Sequence, residues 1–301
     1  MAIGLGIGLG SYPFSGADAF WRWVELCEQS QLDSLWQSDR LISQQAFLEP
    51  MSMMAALAGA TRRIKFGMNA VVLGFRHPVL LAKQCATIDH LSNGRLLPCF
   101  GIGAKDATEW NAADICSSQR GLRANESLQI LSRLWREDQV DFDGEIYSLR
   151  NASINPKPVQ ANLPLWVGGS SPAAIRRTAR YGTGWIAGLQ APEQVRTTIA
   201  GIKEALLVEN RQIDHDHYGA TVLFRFASRS DQQQTNKIPD SRAQRISAIG
   251  DAKAVLDLID QYIDAGASKF VAIPMADSDE DMLWQTSQLI AQVLPELRSR
   301  K

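Results

Sequence analysis

Lys65-Phe66-Gly67-Met68-Asn69-Ala70-Val71-Val72, then Pro78-Val79-Leu80-Leu81 running on to Ser92-Asn93-Gly94, then Leu96-Leu97-Pro98-Cys99-Phe100-Gly101, is the stretch that decides the fold. The first piece is an apolar run of strand length. Proline suits the first turn of a helix, where its missing amide would have no partner, and Asn-Gly suits the left-handed residue that closes one. The third piece is again short and apolar. Strand, helix and strand at this spacing predict a parallel β/α crossover.

The same rhythm extends both ways. Upstream, Ile3, Leu5, Ile7 and Leu9 alternate with glycines as a strand does. Phe20, Trp23, Val24 and Cys27 then follow at helical spacing, and a second strand at 34–38 leads to a helix over about 48–60. Downstream, Leu128, Leu131, Leu134 and Trp135 mark one face of a helix over 118–137. Further strands are predicted at 165–168, 184–187, 220–227 and 269–274, with helices over 171–181, after Pro192, over 251–265 and around Met282 to Val293. Eight β/α units with short connections favour a closed (β/α)8 TIM barrel over a doubly wound sheet. The rhythm breaks only over 138–164, where Asp143-Gly144 between two apolar runs reads as a hairpin. This segment is an insertion between units four and five, and residues 1–301 are expected to form a single barrel domain.

Composition narrows the function. Hydrophobic residues at 45% and charged residues at 21% describe a folded globular chain, and a net charge of −1 supplies no field for nucleic acid or an anionic membrane. A small-molecule partner is expected instead. The cysteines, Cys27, Cys85, Cys99 and Cys116, form no Cys-x-x-Cys pair and no disulfide framework, so a reducing cytoplasm is the expected location. The N-terminal segment has no basic residue before Arg22 and is interrupted by glycines and Pro13, unlike a signal peptide. No apolar run reaches the ~18 residues of a membrane span. Gly4, Gly6, Gly8 and Gly10 superficially resemble a nucleotide fingerprint, but they lie within the strand and no helix opens directly after them, so close strand packing is the reading adopted.

In a barrel the chemistry lies where strands end. After strand two stands Trp36-Gln37-Ser38-Asp39-Arg40-Leu41; alternation puts Leu35, Gln37 and Asp39 on one side, so Asp39 either faces the barrel mouth beside Arg40 or closes a local loop with it. Strand four ends in a flexible turn, Gly101-Ile102-Gly103-Ala104-Lys105-Asp106. Strand five ends in Gly168-Gly169-Ser170-Ser171-Pro172. Its glycines admit an anion to the backbone, a serine caps the helix, and proline occupies its first position, so this is a phosphate seat in outline or an ordinary capped helix. His77 before Pro78 is read as a base or as a residue leading into the helix. His215 and His217 precede strand seven and are read as solvated, with no metal site expected. Arg225, in mid-strand, requires an anionic partner if buried. Glu109, Trp110 and Arg120 flank a loop that would wall a substrate pocket, together with the loop over 228–241.

The ordered set formed by Trp36 to Leu41, Leu48-Glu49-Pro50-Met51, Ala60 to Gly67, His77-Pro78, Ala86 to Leu96, Gly101-Ile102-Gly103, Leu134-Trp135, Pro164 to Gly169 and Gly182-Thr183-Gly184-Trp185 resembles the bacterial luciferase-like flavin-dependent oxidoreductases. The resemblance implies a barrel that binds reduced FMN or the deazaflavin coenzyme F420. The ring system would lie over strands two to four and the phosphate at Gly168, Gly169, Ser170 and Ser171, with Gly103 and Lys105 assisting. It also implies a non-proline cis peptide, for which Asn69 and Ala70 are the matching positions. Asp39, Arg40 and His77 are the catalytic candidates, although many deazaflavin enzymes of this type have histidine after the aspartate, where this chain has Arg40. Arginine is a poor base but stabilises anions. The first functional expectation is a monooxygenase using reduced FMN and oxygen on a small organic substrate, with a separate flavin reductase as partner and a homodimeric assembly. The alternatives are hydride transfer with F420, and a flavin-binding protein without turnover.

Overall fold

In the computed structural model, which describes residues 3–227 and 245–300, the apolar runs form one curled sheet with helices packed against it. Its strands are β1 (Gly4–Leu9), β2 (Ser34–Gln37), β3 (Lys65–Met68), β4 (Val71–Val72), β5 (Leu96–Leu97) and β6 (Cys99–Gly101) in the first half. After a separate hairpin, β7 (Val140–Asp143) and β8 (Ser148–Ala152), come β9 (Trp166–Gly168), β10 (Gly184–Ala187), β11 (Tyr218–Phe226), β12 (Ser247–Gly250) and β13 (Lys269–Pro274). Pairing runs β4-β6-β9-β10-β11-β13-β1-β2-β3-β5, with β12 beside β11, and neighbours are parallel throughout.

The helices are α1 (Ala17–Gln29), α2 (Pro50–Ala60), α3 (Pro78–Ser92), α4 (Glu109–Ala112), α5 (Arg120–Leu134), α6 (Pro172–Tyr181) and α7 (Pro192–Val208). Beyond them lie α8 (Ala252–Asp264), α9 (Asp279–Gln288) and α10 (Leu294–Ser299). Helix α3 starts at Pro78 and ends on Asn93 at φ 54°, the left-handed closure expected of that sequence. None of the described helices is long and apolar enough to cross a membrane.

Two of the expected strands are interrupted. The run 65–72 divides into β3 and β4 at Asn69 and Ala70, whose peptide bond is cis as the resemblance implies. The run 96–101 divides into β5 and β6 at Pro98, which has no amide to give a ladder; its carbonyl instead accepts from the Trp166 amide at 3.0 Å. Strand β12, absent from the sequence reading, pairs along Leu223 to Phe226 of β11. Ser247-Ala248-Ile249-Gly250 is too short to show a period. The loop expected over 228–241 lies outside the described residues.

Two apolar clusters sit on opposite sides of the sheet. Trp36, Cys99, Trp166, Ile186 and Val271, all from strands, pack together on the concave side. Leu35 belongs to the larger core that also contains Met54 and Leu57 of α2. The N-terminal glycines serve close packing: a Cβ on Gly6 would come within 2.8 Å of Trp36 Nε1, and one on Gly8 within 2.8 Å of Val271. The hairpin of the insertion is moored to α5 by Glu126, which accepts from the amides of Glu145 at 2.8 Å and Tyr147 at 2.9 Å. Those bonds keep Ile146 and Tyr147 out of the second strand, which therefore begins at Ser148.

Candidate active site

A cleft of 690 Å³ opens where the strands end, within the range of sites that enclose small ligands. Its wall includes Asn69, Ala70, Gly101, Gly168, Gly188 and Thr221. Added Cβ atoms on Gly101 and Gly168 would lie 3.5 and 3.7 Å from the Ala70 methyl, and one on Gly188 would meet nothing within 4 Å. Backbone and one methyl group thus form a shallow cradle that side chains would fill. Asn69 is fixed across the sheet: its Nδ2 donates to Thr221 Oγ1 at 2.8 Å, and that hydroxyl donates to the Ala187 carbonyl at 2.9 Å.

The Gly168-Gly169 segment joins β9 to α6. Gly169 has φ +107°, in the region open to glycine, and a Cβ there would also press to 3.2 Å from that of Ala174. Ser171 caps α6, accepting from the Ala174 amide at 3.2 Å, with Pro172 in the first position. Trp185 Nε1 donates to the Gly169 carbonyl at 2.7 Å and holds the loop. Gly168 and Gly169 line the cleft, whereas Ser170 and Ser171 are exposed beside it. Gly103 also lines it, at φ +66°, on a turn pinned by Trp110 Nε1 donating to the Ala104 carbonyl at 2.6 Å. Lys105 is exposed and outside the lining.

The expected partnership of Asp39 with Arg40 does not form. Asp39 continues the side of β2 that carries Leu35, toward the helix layer, and its side chain is 1% exposed. Arg76 meets it with both guanidinium arms, Nη1 to Oδ2 at 2.6 Å and Nη2 to Oδ1 at 3.1 Å, and the Val72 amide donates to Oδ2 at 2.8 Å. Arg76 Nη2 also reaches Glu49 at 2.7 Å, and Glu49 caps α2 through the Ser52 amide at 2.7 Å. Burial pulls the Arg76 guanidinium down, but the two carboxylates more than offset it and raise its proton affinity above the ordinary value. Asp39 is thus committed to holding the turn after β4. Both Asp39 and Arg40 line the cleft, but Arg40 is 54% exposed and forms a loose ion pair with Glu109 at 3.8 Å; it is the one cation among the described lining residues.

His77 lies outside the cleft lining. It is exposed, its Nδ1 accepts from the Val79 amide at 3.3 Å as the cap of α3, and its ring lies edge-on to Tyr147 outside the cleft. Arg225 has its anion, Asp281 of α9, at 2.6 Å. His217 stands before β11, its Nδ1 3.0 Å from the Thr183 carbonyl. Arg76 and Thr221 were missed in the sequence. Period-two alternation from Gln37 already set Asp39 and Arg40 on opposite sides, but nothing local pointed to Arg76.

The fold and this glycine-walled cleft define an α/β protein with a ligand-sized cleft at its strand ends. The sequence model of the luciferase-like monooxygenases matches residues 6–228, and the chain belongs to this family, whose members are oxidoreductases dependent on F420 or flavin. It is 26% identical to the F420-dependent glucose-6-phosphate dehydrogenase of Amycolatopsis mediterranei over 317 residues, covering 90% of this chain and 92% of that protein. It is 27% identical to the 5,10-methylenetetrahydromethanopterin reductase of Archaeoglobus fulgidus over 64% of this chain and 55% of that one. Among solved structures, the monooxygenase RslO1 from Streptomyces bottropensis superposes with a TM-score of 0.85 at 20% identity, covering 98% of this chain and 99% of that one. An F420-dependent secondary alcohol dehydrogenase, in complex with an F420–acetone adduct, does so at 0.82 and 16% identity, over 99% and 100%.

Proposed function

We propose that this protein is an F420-dependent oxidoreductase that exchanges hydride with a small organic substrate. The observation that carries the reading is the glycine cradle beside a capped helix start, in a chain whose near full-length relative is F420-dependent. A bound deazaflavin supplies a two-electron hydride donor or acceptor. Asn69 and Ala70 would back its ring, with Thr221 holding the Asn69 amide in place. Gly168, Gly169, Ser170 and Ser171 would receive its phosphate at the helix start, with Gly103 on the neighbouring turn. Ile42, Phe47 and Leu189 of the cleft would shield the reacting atoms from water once a ligand covers them, and Arg40, held only loosely by Glu109, would orient a polar or anionic end of the substrate.

Use of reduced FMN and oxygen has the shared fold of RslO1 behind it, whereas the F420 reading has relatives in sequence as well. We also read the curled sheet as a closed (β/α)8 barrel, with residues 1–301 as one domain. In support, β3 with β4 and β5 with β6 each read as one divided strand, which makes the pairing path circular. The test of function is anaerobic turnover of a panel of alcohols with oxidised F420, and of aldehydes with reduced F420, set against reduced FMN in air. Bleaching or recovery of the deazaflavin absorbance without oxygen is expected. Product formed only with FMN and oxygen would overturn the reading, and tight cofactor binding with no turnover would return the flavin-binder alternative.

A further inference from the structure

Four arginines, Arg120, Arg123, Arg176 and Arg177, stand where the first turn of α5 meets the middle of α6. None of them forms an ion pair with a carboxylate among the described residues. Arg177 is only 8% exposed. Its Nε donates to Asn125 Oδ1 at 2.6 Å and its Nη2 to the Gly121 carbonyl at 3.3 Å, in the first turn of α5, while Nη1 is buried without a partner. Arg120 gives one bond to the Ser117 carbonyl at 3.1 Å, and Arg123 one to the Tyr147 hydroxyl at 3.5 Å; the Nε of each is buried and unpartnered. Burial, then the charges of Arg176 and Arg120, weaken the hold of Arg177 on its proton. A guanidinium removed from water, as that of Arg177 is, and set near the half-buried Arg120 and Arg123 without an anion is costly, and an arriving carboxylate or phosphate relieves that cost.

The position of the cluster selects the anion. Helices α5 and α6 both start at the cleft end of the sheet, and Arg177 follows the Ser171 cap by six positions, roughly 9 Å along the helix. FMN ends at its phosphate, whereas F420 continues past the phosphate into a tail of glutamate residues, each bearing a carboxylate. We propose that Arg120, Arg123 and Arg177 form a subsite for the carboxylates of that tail, just outside the phosphate seat. This rests on the F420 reading and adds to it the part of the cofactor that the chain recognises by charge.

Equilibrium titration of the full-length protein with three probes tests it: F420 carrying its glutamyl tail, the same deazaflavin phosphate without glutamates, and FMN. Tailed F420 should bind about tenfold tighter than the tail-less form or better, and the advantage should shrink as salt is raised. In Arg120→Gln and Arg177→Gln the two deazaflavins should bind alike. Because Arg177 also ties α6 to α5, Arg120→Gln and the wild-type salt series decide the matter if Arg177→Gln does not fold. Equal affinity for tailed and tail-less forms in the wild type would overturn the subsite and leave the F420 reading standing. FMN binding more tightly than both deazaflavins would overturn the two together.

Discussion

Replacing Asp39 by alanine separates a positioning carboxylate from a catalytic one. The carboxylate is 1% exposed and the Arg76 side chain 13%, so the substitution removes one member of a buried, two-armed pair. Such a loss costs about 3–5 kcal/mol when the partner charge stays behind. Glu49 still holds Arg76 at 2.7 Å, but it is 45% exposed and compensates only in part. The Val72 amide, now without its acceptor, adds about 1–3 kcal/mol. These effects oppose one another, so the net loss should stay near about 3–5 kcal/mol, equivalent to a fall in Tm of roughly 6–20 °C. Urea unfolding followed by tryptophan fluorescence, together with calorimetry, measures it; Asp39→Asn, which keeps the shape and one acceptor, should lose less. A stability loss below about 1 kcal/mol accompanied by collapse of kcat would refute the reasoning and make Asp39 a free reacting group.

Thr221→Val leaves the Asn69 amide without its acceptor, and should weaken cofactor binding while costing about 1 kcal/mol of stability; unchanged cofactor affinity would show that Asn69 needs no such support. His77→Ala removes a helix cap outside the cleft, so stability should fall by at most about 1 kcal/mol with kcat unchanged, and a large fall in kcat would contradict the placement of His77. Glu28 and Glu49 both titrate below the ordinary value of 4.5: burial opposes the shift in each, and backbone amides on Glu28, and Arg76 with Ser52 on Glu49, outweigh it. A depressed folded pKa means that their stabilisation is complete above pH 4.5 and is lost as pH falls through the lower folded values. Urea midpoints should therefore decline on acidification below that point, and a midpoint unchanged down to about pH 3 would contradict it.

The alternation of parallel strands with helices was legible because apolar runs are followed by helical periods, and because Pro78, Pro172 and Pro192 mark helix starts that the structure keeps. The breaks in the third and fourth strands were hidden. Val71 and Val72 look like a continuation of Lys65 to Met68, and Pro98 is a single residue in an apolar run. At the site, the glycine pair and its capping serine were readable, since caps and glycines act locally. Arg76 and Thr221 were not, because their roles are set by partners 37 and 152 positions away. At His77 the local signal is ambiguous, because a ring nitrogen that caps a helix carries the same sequence signature as a base.

Competitive equilibrium titration of the purified protein with F420 and FMN, each oxidised and reduced, tests the choice of cofactor most directly. The account predicts F420 bound at least about tenfold more tightly than FMN in both redox states. FMN bound equally well or better would contradict it.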